Sequence, residues 1–326
     1  MTQTSLTIWT NAKFPDDVER MLAEGIAPHR LIHASERNPL NIASSPVDRN
    51  LEQADIAFGQ PNAEQAMSLT ELKWIHLTSA GYTAYDRDDF KAALRARGAR
   101  LTNSSGVYDE PCAQHVLAMM MAFARRLPES LQAQLGDRAW HWARRRRESF
   151  LLNGQTALIF GFGAIATRLC ELLAPFEMRV IGVRRAVRGD EPTEVITEEQ
   201  VAEFLPQADH VINVLPGNAS TTRYFDADNF RRVKPGAIFY NIGRGATVDQ
   251  EALLAALESN RLAAAYLDVT TPEPLPPDHP LWSAPNCYIT PHSAGGQNRE
   301  MHDLVTRFLE NLRRFVNGEE LRNRIV

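Results

Sequence analysis

The chain has 326 residues, of which 44% are hydrophobic and 23% are charged, and its formal net charge is -5. These values are typical of a folded protein of about two domains, and they exclude an extensively disordered chain. The net charge is mild, so it gives no reason to expect nucleic acid or an anionic membrane as a partner. The arginine run Arg144–Arg147 is interpreted either as a solvated helix face or as a contact for an anionic ligand or partner.

Cysteine usage and apolar segments set further limits. Cys112, Cys170 and Cys287 are widely spaced, which predicts neither a disulfide framework nor a zinc site, and we expect no metal. Met1–Asn11 lacks the pattern of a secretory signal, and the most apolar stretch, Val116–Ala124, is too short to span a bilayer. We therefore expect a cytoplasmic protein without a membrane partner.

The first hundred residues alternate between short apolar segments and polar segments with helical character. The predicted strands are Leu6–Trp9, Leu31–His33, Ile56–Phe58 and Trp74–Leu77. The predicted helices include Asp16–Glu24 and Asp88–Arg97. This alternation predicts a parallel sheet covered by helices.

The next segment, Asp109–Leu127, carries apolar residues such as Val116 and Met120 at helical spacing. Pro111 suits the first turn of a helix, and Pro128 is a stop signal at its end. The sequence therefore predicts one helix over Asp109–Leu127, whose methionines are interpreted as core packing.

From Gln155 onward, strands and helices alternate more clearly. The predicted strands are Ala157–Phe160, Arg179–Val183, His210–Val214, Ala237–Asn241, Ala264–Asp268 and Tyr288–Thr290. The predicted helices are Ile165–Leu173, Glu198–Phe204, Gln250–Glu258 and Glu300–Phe315. Strands joined by crossovers in this way predict a doubly wound dinucleotide domain, with the proline-rich segment Pro272–Pro280 as an ordered loop at a strand end.

A glycine-rich turn follows the first strand of this second half. Its residues are Gly161, Phe162, Gly163, Ala164, Ile165 and Ala166. Gly161 permits a tight turn, Gly163 lets the backbone approach a pyrophosphate, and Ala166 allows close helix–strand packing. The following helix directs free N–H groups and a partial positive charge at the phosphates. Since a strand precedes the motif and a helix follows it, we interpret it as a dinucleotide site.

The end of the next strand bears on the choice of cofactor. An acidic residue there would bind the ribose 2′-hydroxyl of NAD, but the chain has Arg184 and Arg185. Guanidinium groups bind a 2′-phosphate well, so the sequence favours NADP over NAD. The alternative is that both arginines are solvated and NAD binds without the carboxylate.

Three segments follow the ends of later predicted strands: Asn241–Gly245, Leu267–Pro276 and Pro291–Gly296. Together with the glycine-rich turn, they resemble the D-isomer-specific 2-hydroxyacid dehydrogenase family, which contains glyoxylate and hydroxypyruvate reductases. The resemblance is strongest from Gly106 to Gly296. It is weaker before Gly106, where Thr78–Tyr82 is similar to the family's substrate-carboxylate loop.

The resemblance implies roles for single residues. Arg244 resembles the arginine that binds the substrate carboxylate and polarises the 2-oxo group, His292 the general acid, and Glu273 its carboxylate partner. Ala80 and Gly81 resemble backbone donors to the substrate carboxylate, and Arg244 and His292 also resemble residues that bind the substrate. The residues that resemble cofactor contacts beyond the glycine-rich turn are Leu215, Pro216, Thr222, Ile242, Gly243, Arg244, Asp268, His292 and Ala294.

The chemistry of reduction agrees with this assignment. Hydride addition to a ketone builds negative charge on oxygen, which a cationic arginine and a proton donor stabilise more in the transition state than in the ground state. Histidine is suited to donate that proton near neutral pH, and a neighbouring carboxylate favours its charged form. We therefore expect NAD(P)-dependent reduction of a small 2-oxo acid such as glyoxylate or hydroxypyruvate.

The expected fold is α/β, with two doubly wound parallel-sheet domains separated by a cleft. Residues 103–293 are predicted to form the Rossmann dinucleotide-binding domain, and residues 1–102 with 294–326 a flavodoxin-like substrate-binding domain. The resemblance also implies a homodimer whose arm is Leu127–Leu152, with Trp140 or Trp142 reaching the partner's active site. The alternative function is a dinucleotide-sensing corepressor-like binding protein, which turnover of 2-oxo acids would exclude.

Overall fold

A computed structural model describes residues 5–38 and 46–326 of the chain. The first four residues of the N-terminal segment, for which no secretory signal is predicted, lie outside the described residues. The chain forms two compact units: one joins the residues up to Tyr108 to Gly296–Val326, and the other is Asp109–Gly295. The sequence places the domain changes after residues 102 and 293, and the function of each domain remains a prediction.

The regular elements are numbered in chain order. The strands are β1 Thr7–Ala12, β2 Arg30–Asn38, β3 Ile56–Phe58, β4 Trp74–His76, β5 Arg100–Thr102, β6 Thr156–Phe160, β7 Arg179–Val183, β8 Glu194–Ile196, β9 His210–Asn213, β10 Ala237–Asn241, β11 Leu262–Leu267 and β12 Cys287–Ile289. The α-helices are α1 Asp16–Gly25, α2 Ala63–Ser68, α3 Asp88–Ala96, α4 Ser105–Ala124, α5 Leu127–Leu135, α6 Trp142–Glu148, α7 Ala164–Leu173, α8 Val201–Phe204, α9 Ala227–Arg232, α10 Gln250–Glu258 and α11 Glu300–Val316. Short 3-10 turns cover Arg49–Gln53, Thr83–Tyr85, Ala174–Phe176, Glu198–Gln200, Leu205–Gln207, Gly245–Thr247 and Pro280–Trp282.

The first unit is built on a five-stranded parallel sheet with the order β2-β1-β3-β4-β5. Helix α11, near the C-terminus, packs on this sheet through aromatic rings. The Phe308 ring stacks on Phe58 with centroids 4.1 Å apart and on Trp74 with centroids 5.4 Å apart. The last long helix therefore contributes to the core of the N-terminal unit.

The second unit is built on a seven-stranded parallel sheet with the order β12-β11-β10-β9-β6-β7-β8. The strand order reverses between β6 and β9, which is the topological switch point of a doubly wound sheet. The prediction of two parallel-sheet α/β domains is confirmed. In the described chain, none of the helices combines the length and apolar character that a membrane span requires.

Several short elements differ from the sequence predictions. Strands β5 and β8 were not predicted, because neither is a continuous apolar run: β5 begins at Arg100, β8 begins at Glu194, and both are edge strands. The predicted helix Glu198–Phe204 is a 3-10 turn followed by the single α-turn α8. These segments are too short to show a period in the sequence.

The prediction for Asp109–Leu127 was wrong at both ends. Helix α4 begins at Ser105, because the Asn103 side chain accepts hydrogen bonds from the Ser105 amide and hydroxyl. Pro111 consequently lies inside the helix, where it cannot donate a backbone hydrogen bond. The helix ends at Ala124, Arg126 adopts a left-handed φ of 56°, and Pro128 lies in the first turn of α5 rather than ending α4.

Candidate active site

The loops that follow the strands of the second sheet carry most of the predicted site residues. Because these strands are parallel, their carboxyl ends lie at the same edge of the sheet. The predicted residues in these loops are Gly161, Phe162, Gly163, Ala164, Ile165, Arg184, Arg185, Leu215, Pro216, Thr222, Ile242, Gly243, Arg244, Asp268, Glu273, His292 and Ala294. Ala80 and Gly81 belong to the first unit.

The turn after β6 has the shape that a dinucleotide pyrophosphate requires. Gly161 has a φ of 88°, and a Cβ there would lie 2.7 Å from the Val214 carbonyl oxygen. A Cβ at Gly163 would meet nothing within 4 Å. Helix α7 then begins at Ala164, and no side chain in the described chain caps its N-terminal amides. Open space beside uncapped amides at a helix N-terminus fits a phosphate group.

Phe162 and the loop after β9 lie next to this turn. The Phe162 ring is buried against β7, where a Cβ at Gly182 would lie 2.2 Å from it. The Leu215 amide donates to Asn213 Oδ1 over 3.0 Å. Thr222 is exposed, and its hydroxyl donates to the Asn218 carbonyl.

The two arginines after β7 differ in their surroundings. Arg184 Nη1 lies 2.9 Å from Glu191 Oε1, and the Glu191 side chain is only 6% exposed. Glu191 also accepts hydrogen bonds from the Arg188 and Gly189 amides. Arg185 is exposed and has no ion-pair partner among the described residues. The available guanidinium at this strand end is therefore that of Arg185, whereas Arg184 is held by a carboxylate.

The loop after β10 fixes Arg244. The Ile242 amide donates to the Asn213 carbonyl, and Gly243 is required because a Cβ there would lie 2.6 Å from the Leu215 oxygen. Arg244 Nη1 donates to the Gly243 carbonyl over 2.6 Å. Burial lowers the pKa of Arg244, and the negative charge of Glu273 opposes that shift. The guanidinium is therefore largely desolvated and lies within the electrostatic reach of Glu273.

Glu273 and His292 are in direct contact. His292 Nδ1 lies 2.8 Å from Glu273 Oε2, and Glu273 Oε1 accepts a hydrogen bond from the Thr270 amide over 3.0 Å. Burial would raise the pKa of Glu273, but hydrogen bonds from His292 and Thr270 and the charges of His292 and Arg244 outweigh it, so that pKa is lowered. Glu273 is therefore a carboxylate near neutral pH, and it orients the imidazole through Nδ1.

Asp268 holds the His292 loop in place. Its side chain is buried and accepts hydrogen bonds from Thr290 Oγ1 at 2.5 Å, the Ser293 amide at 2.9 Å and the Ala294 amide at 3.0 Å. The Asp268 carbonyl accepts a hydrogen bond from the His292 amide over 2.8 Å. His292 itself has a left-handed φ of 51°. Both Asp268 oxygens are therefore bonded to residues that flank His292.

Sequence reasoning missed the side chains that join Asp268 to α4. Tyr266 Oη contacts His115 Nε2 and lies 2.7 Å from Thr290 Oγ1. His115 lies with Nε2 3.9 Å from Asp268 Oδ1. The available signal was strand alternation, which places residues 266 and 268 on the same face.

In the first unit, the loop after β4 leaves two amides uncommitted. The Ala80 carbonyl accepts from Asn103 Nδ2 over 2.6 Å, and the Gly81 carbonyl accepts from Ser79 Oγ over 2.5 Å. Among residues 5–38 and 46–326, no group accepts a hydrogen bond from the Ala80 or Gly81 amide. These two N–H groups are available to bind an anion.

Comparison with known proteins decides the family. The family model for the NAD binding domain of D-isomer specific 2-hydroxyacid dehydrogenases matches residues 117–294. The chain belongs to this family. It is accordingly an NAD(P)-dependent dehydrogenase, as the fold and the glycine-rich turn indicate.

Relatives of this dehydrogenase include glyoxylate and hydroxypyruvate reductases. The chain is 33% identical to the glyoxylate reductase/hydroxypyruvate reductase of Mus musculus over 70% of each chain. It is 29% identical to glyoxylate/hydroxypyruvate reductase B of Klebsiella pneumoniae over 95% of this chain and 94% of the relative. A family member from Xanthobacter autotrophicus, solved with NADPH and MES, has a TM-score of 0.82 and 25% identity over 99% of this chain and 98% of that one.

The glycine-rich turn generates a testable prediction about cofactor binding by this dehydrogenase. Gly163→Ala introduces a Cβ that meets no protein atom, and the φ of Gly163, -116°, suits any residue. We expect unchanged thermal stability but NADPH affinity weakened roughly tenfold or more, because the methyl group stands where a pyrophosphate must approach. Thermal unfolding and fluorescence titration measure the two effects.

The matched change Gly161→Ala should lower thermal stability as well, since its Cβ would clash with the Val214 carbonyl at a φ of 88°. Unaltered NADPH and NADH affinities in Gly163→Ala would show that the cofactor does not lie on this turn.

Proposed function

We propose that this dehydrogenase reduces a small 2-oxo acid of the glyoxylate or hydroxypyruvate type to the 2-hydroxy acid, with His292 as general acid. The observation that carries the proposal is the 2.8 Å contact between His292 Nδ1 and Glu273 Oε2, at the sheet edge that also carries Arg244. The names of the Mus musculus and Klebsiella pneumoniae relatives support this substrate class.

His292 delivers the proton of the reduction. With Nδ1 bonded to Glu273, its Nε2–H is free to donate to the carbonyl oxygen, on which charge develops. The nicotinamide cofactor, when bound, supplies the hydride that adds to C2. Glu273 stays ionised and balances the charge of the imidazolium before the proton leaves.

Arg244 is a residue of the second unit that is proposed to bind the substrate. Arg244 is desolvated, so its charge acts on a carboxylate and on the carbonyl oxygen with little screening by water. In the first unit, the uncommitted amides of Ala80 and Gly81 are the proposed backbone donors to a carboxylate. The substrate is therefore expected to carry its carboxylate next to the reacting carbonyl, as 2-oxo acids do.

The glycine-rich turn and the other loops of the second sheet hold the cofactor in this proposal. Gly161, Gly163, Ala164 and Ile165 face the pyrophosphate through backbone atoms. The remaining proposed contacts are Phe162, Arg185, Leu215, Pro216, Thr222, Ile242, Gly243, Asp268 and Ala294. The corepressor-like alternative is not favoured by the relatives, whose names describe reductases.

Removal of the proposed acid tests this mechanism. His292→Ala should lower kcat for reduction of glyoxylate or hydroxypyruvate roughly 100-fold or more, since general acid catalysis contributes about two to four orders of magnitude. NADPH affinity, measured by fluorescence titration, should survive. The control His302→Ala removes an exposed histidine of α11 and should keep full turnover.

Unchanged turnover in His292→Ala would refute its role as acid. A wild-type protein that binds NADPH tightly but turns over none of a panel of 2-oxo acids would favour the sensor alternative.

The cofactor preference is proposed to rest on Arg185. Arg184 is neutralised by the nearly buried Glu191, whereas Arg185 is exposed at the end of β7. A 2′-phosphate would therefore meet the Arg185 guanidinium first, which favours NADPH.

Arg185→Ala should raise the KM for NADPH roughly tenfold and leave the KM for NADH nearly unchanged, because only NADPH carries the 2′-phosphate. Parallel initial-rate measurements with both cofactors provide the test, and Arg188→Ala is a control for loss of one exposed positive charge in the same loop. An equal rise of KM for both cofactors in Arg185→Ala would contradict recognition of the 2′-phosphate by this residue.

We also propose that the segment Leu127–Leu152 forms a homodimer arm. It exposes large apolar side chains, with Trp140 at 91%, Leu135 at 87% and Trp142 at 61% exposure. Clustered apolar side chains of this size mark interaction surfaces, and tryptophan and arginine are enriched in interfaces.

Sedimentation equilibrium should give about twice the chain mass of 36.5 kDa. The double variant Leu135→Asp/Trp140→Asp should shift the protein to the single-chain mass, because charge replaces the apolar contact. A wild-type protein that sediments at the single-chain mass across micromolar concentrations would contradict this arm.

A further inference from the structure

We propose that Tyr266 is a positioning residue for reduction: through Thr290 and Asp268 it fixes the loop that carries His292. The inference rests on the proposed role of His292 as acid, and its new residues, Tyr266, Thr290 and His115, are not among the proposed substrate or cofactor contacts. It is based on three adjoining contacts that lead from α4 to the residues flanking His292.

The contacts form one continuous path. His115 Nε2 on α4 contacts Tyr266 Oη on β11, and Tyr266 Oη lies 2.7 Å from Thr290 Oγ1. Thr290 Oγ1 donates to Asp268 Oδ1 over 2.5 Å. Asp268 in turn accepts the amides of residues 293 and 294, so one carboxylate is bonded on both sides of His292.

Proton counting gives this path a single direction. Asp268, as a carboxylate, can only accept, so the single Thr290 proton is committed to it. Thr290 then accepts from Tyr266 at 2.7 Å, which is nearer than His115 Nε2 at 3.4 Å. Burial lowers the pKa of His115, an effect that Asp268 opposes, so the neutral ring is favoured. With its one proton on Nε2, this ring donates to Tyr266 Oη, the hydroxyl that it contacts. Each hydroxyl thus has one donor role and one acceptor role.

The direction explains what Tyr266 does. Its hydroxyl supplies the donor that Thr290 needs after giving its own proton to Asp268. Without that donor, Thr290 Oγ1 can rotate away, and Asp268 loses one of three bonds that hold the loop. His292 has a left-handed φ of 51°, a conformation that persists only where the surroundings impose it. Loosening the loop would therefore displace the His292 ring.

The chain contains a matched control for Tyr266. Tyr240 on β10 is the register partner of Tyr266 on β11, and both side chains are fully buried. The Tyr240 hydroxyl also contacts a histidine, with Oη 3.0 Å from His210 Nδ1, but that histidine lies on β9 and reaches no residue next to His292. Tyr240→Phe therefore removes a similar buried hydrogen bond from the same sheet without touching the path.

The experiment compares Tyr266→Phe with Tyr240→Phe. Tyr266→Phe should lower kcat for 2-oxo acid reduction roughly tenfold, because misplacement of a catalytic group slows the chemical step. The KM for NADPH and for substrate should change less than twofold. Hydrogen exchange followed by mass spectrometry should accelerate in peptides covering residues 290–296. Tyr240→Phe should show neither effect at a comparable loss of thermal stability.

A second pair of variants tests the path without the tyrosine. Thr290→Val keeps the shape of the side chain but removes its hydroxyl, so it should reproduce both effects of Tyr266→Phe. Thr290→Ser keeps the hydroxyl and should restore kcat to within about twofold of wild type. If Thr290→Ser restores kcat, the loss in Thr290→Val is due to the missing hydrogen bond and not to altered packing.

The proposal requires both the kinetic and the exchange effect. An unchanged kcat in Tyr266→Phe, or a lowered kcat with unchanged exchange over residues 290–296, would overturn it. Equal effects in Tyr240→Phe would overturn it as well. If wild type and Tyr240→Phe reduce no 2-oxo acid, the proposed function fails, and the exchange comparison alone decides whether Tyr266 fixes the loop.

Discussion

The candidate active site depends on the hydrogen bonds that the buried carboxylate of Asp268 accepts. An ionised carboxyl group removed from water is costly unless hydrogen bonds compensate it. Here the compensation comes from Thr290, Ser293 and Ala294, which lie on both sides of His292. The hydrogen bonds that this carboxylate requires therefore determine the path of the loop that carries His292, the proposed acid, whose φ is left-handed.

The parallel sheet brings the charged side chains to one edge, and their surroundings in the loops shift their pKa values. Arg244 is desolvated and therefore reaches Glu273 electrostatically with little screening. Glu273 remains ionised because hydrogen bonds and two positive charges outweigh its burial. Arg244 and His292 both favour the ionised form of Glu273, which orients the imidazole through Nδ1. In the proposed reduction, these groups stabilise the alkoxide that develops on the substrate.

The sequence predicted those parts of the molecule whose signals are local. Gly161, Arg244, Glu273 and His292 each follow an apolar strand, and parallel strands place such positions at one edge. Strand β8 was missed because only one of its three residues, Ile196, is buried, which shows no period. The contact between His115 and Tyr266 joins residues 151 positions apart. No local pattern encodes a contact of that separation, so the support for the loop became visible only in the fold.

Arg184 and Glu191 show how a correct local observation leads to an incomplete inference. The absence of an acidic residue directly after β7 pointed to two arginines for a 2′-phosphate. The loop folds back, however, and a nearly buried glutamate seven residues later binds the first arginine. Glu191 also accepts hydrogen bonds from the amides of residues 188 and 189, which orient its carboxylate in this loop. In the proposed function, selectivity for the 2′-phosphate therefore depends on one guanidinium, Arg185, whose exposure leaves it more strongly screened by salt than a buried partner.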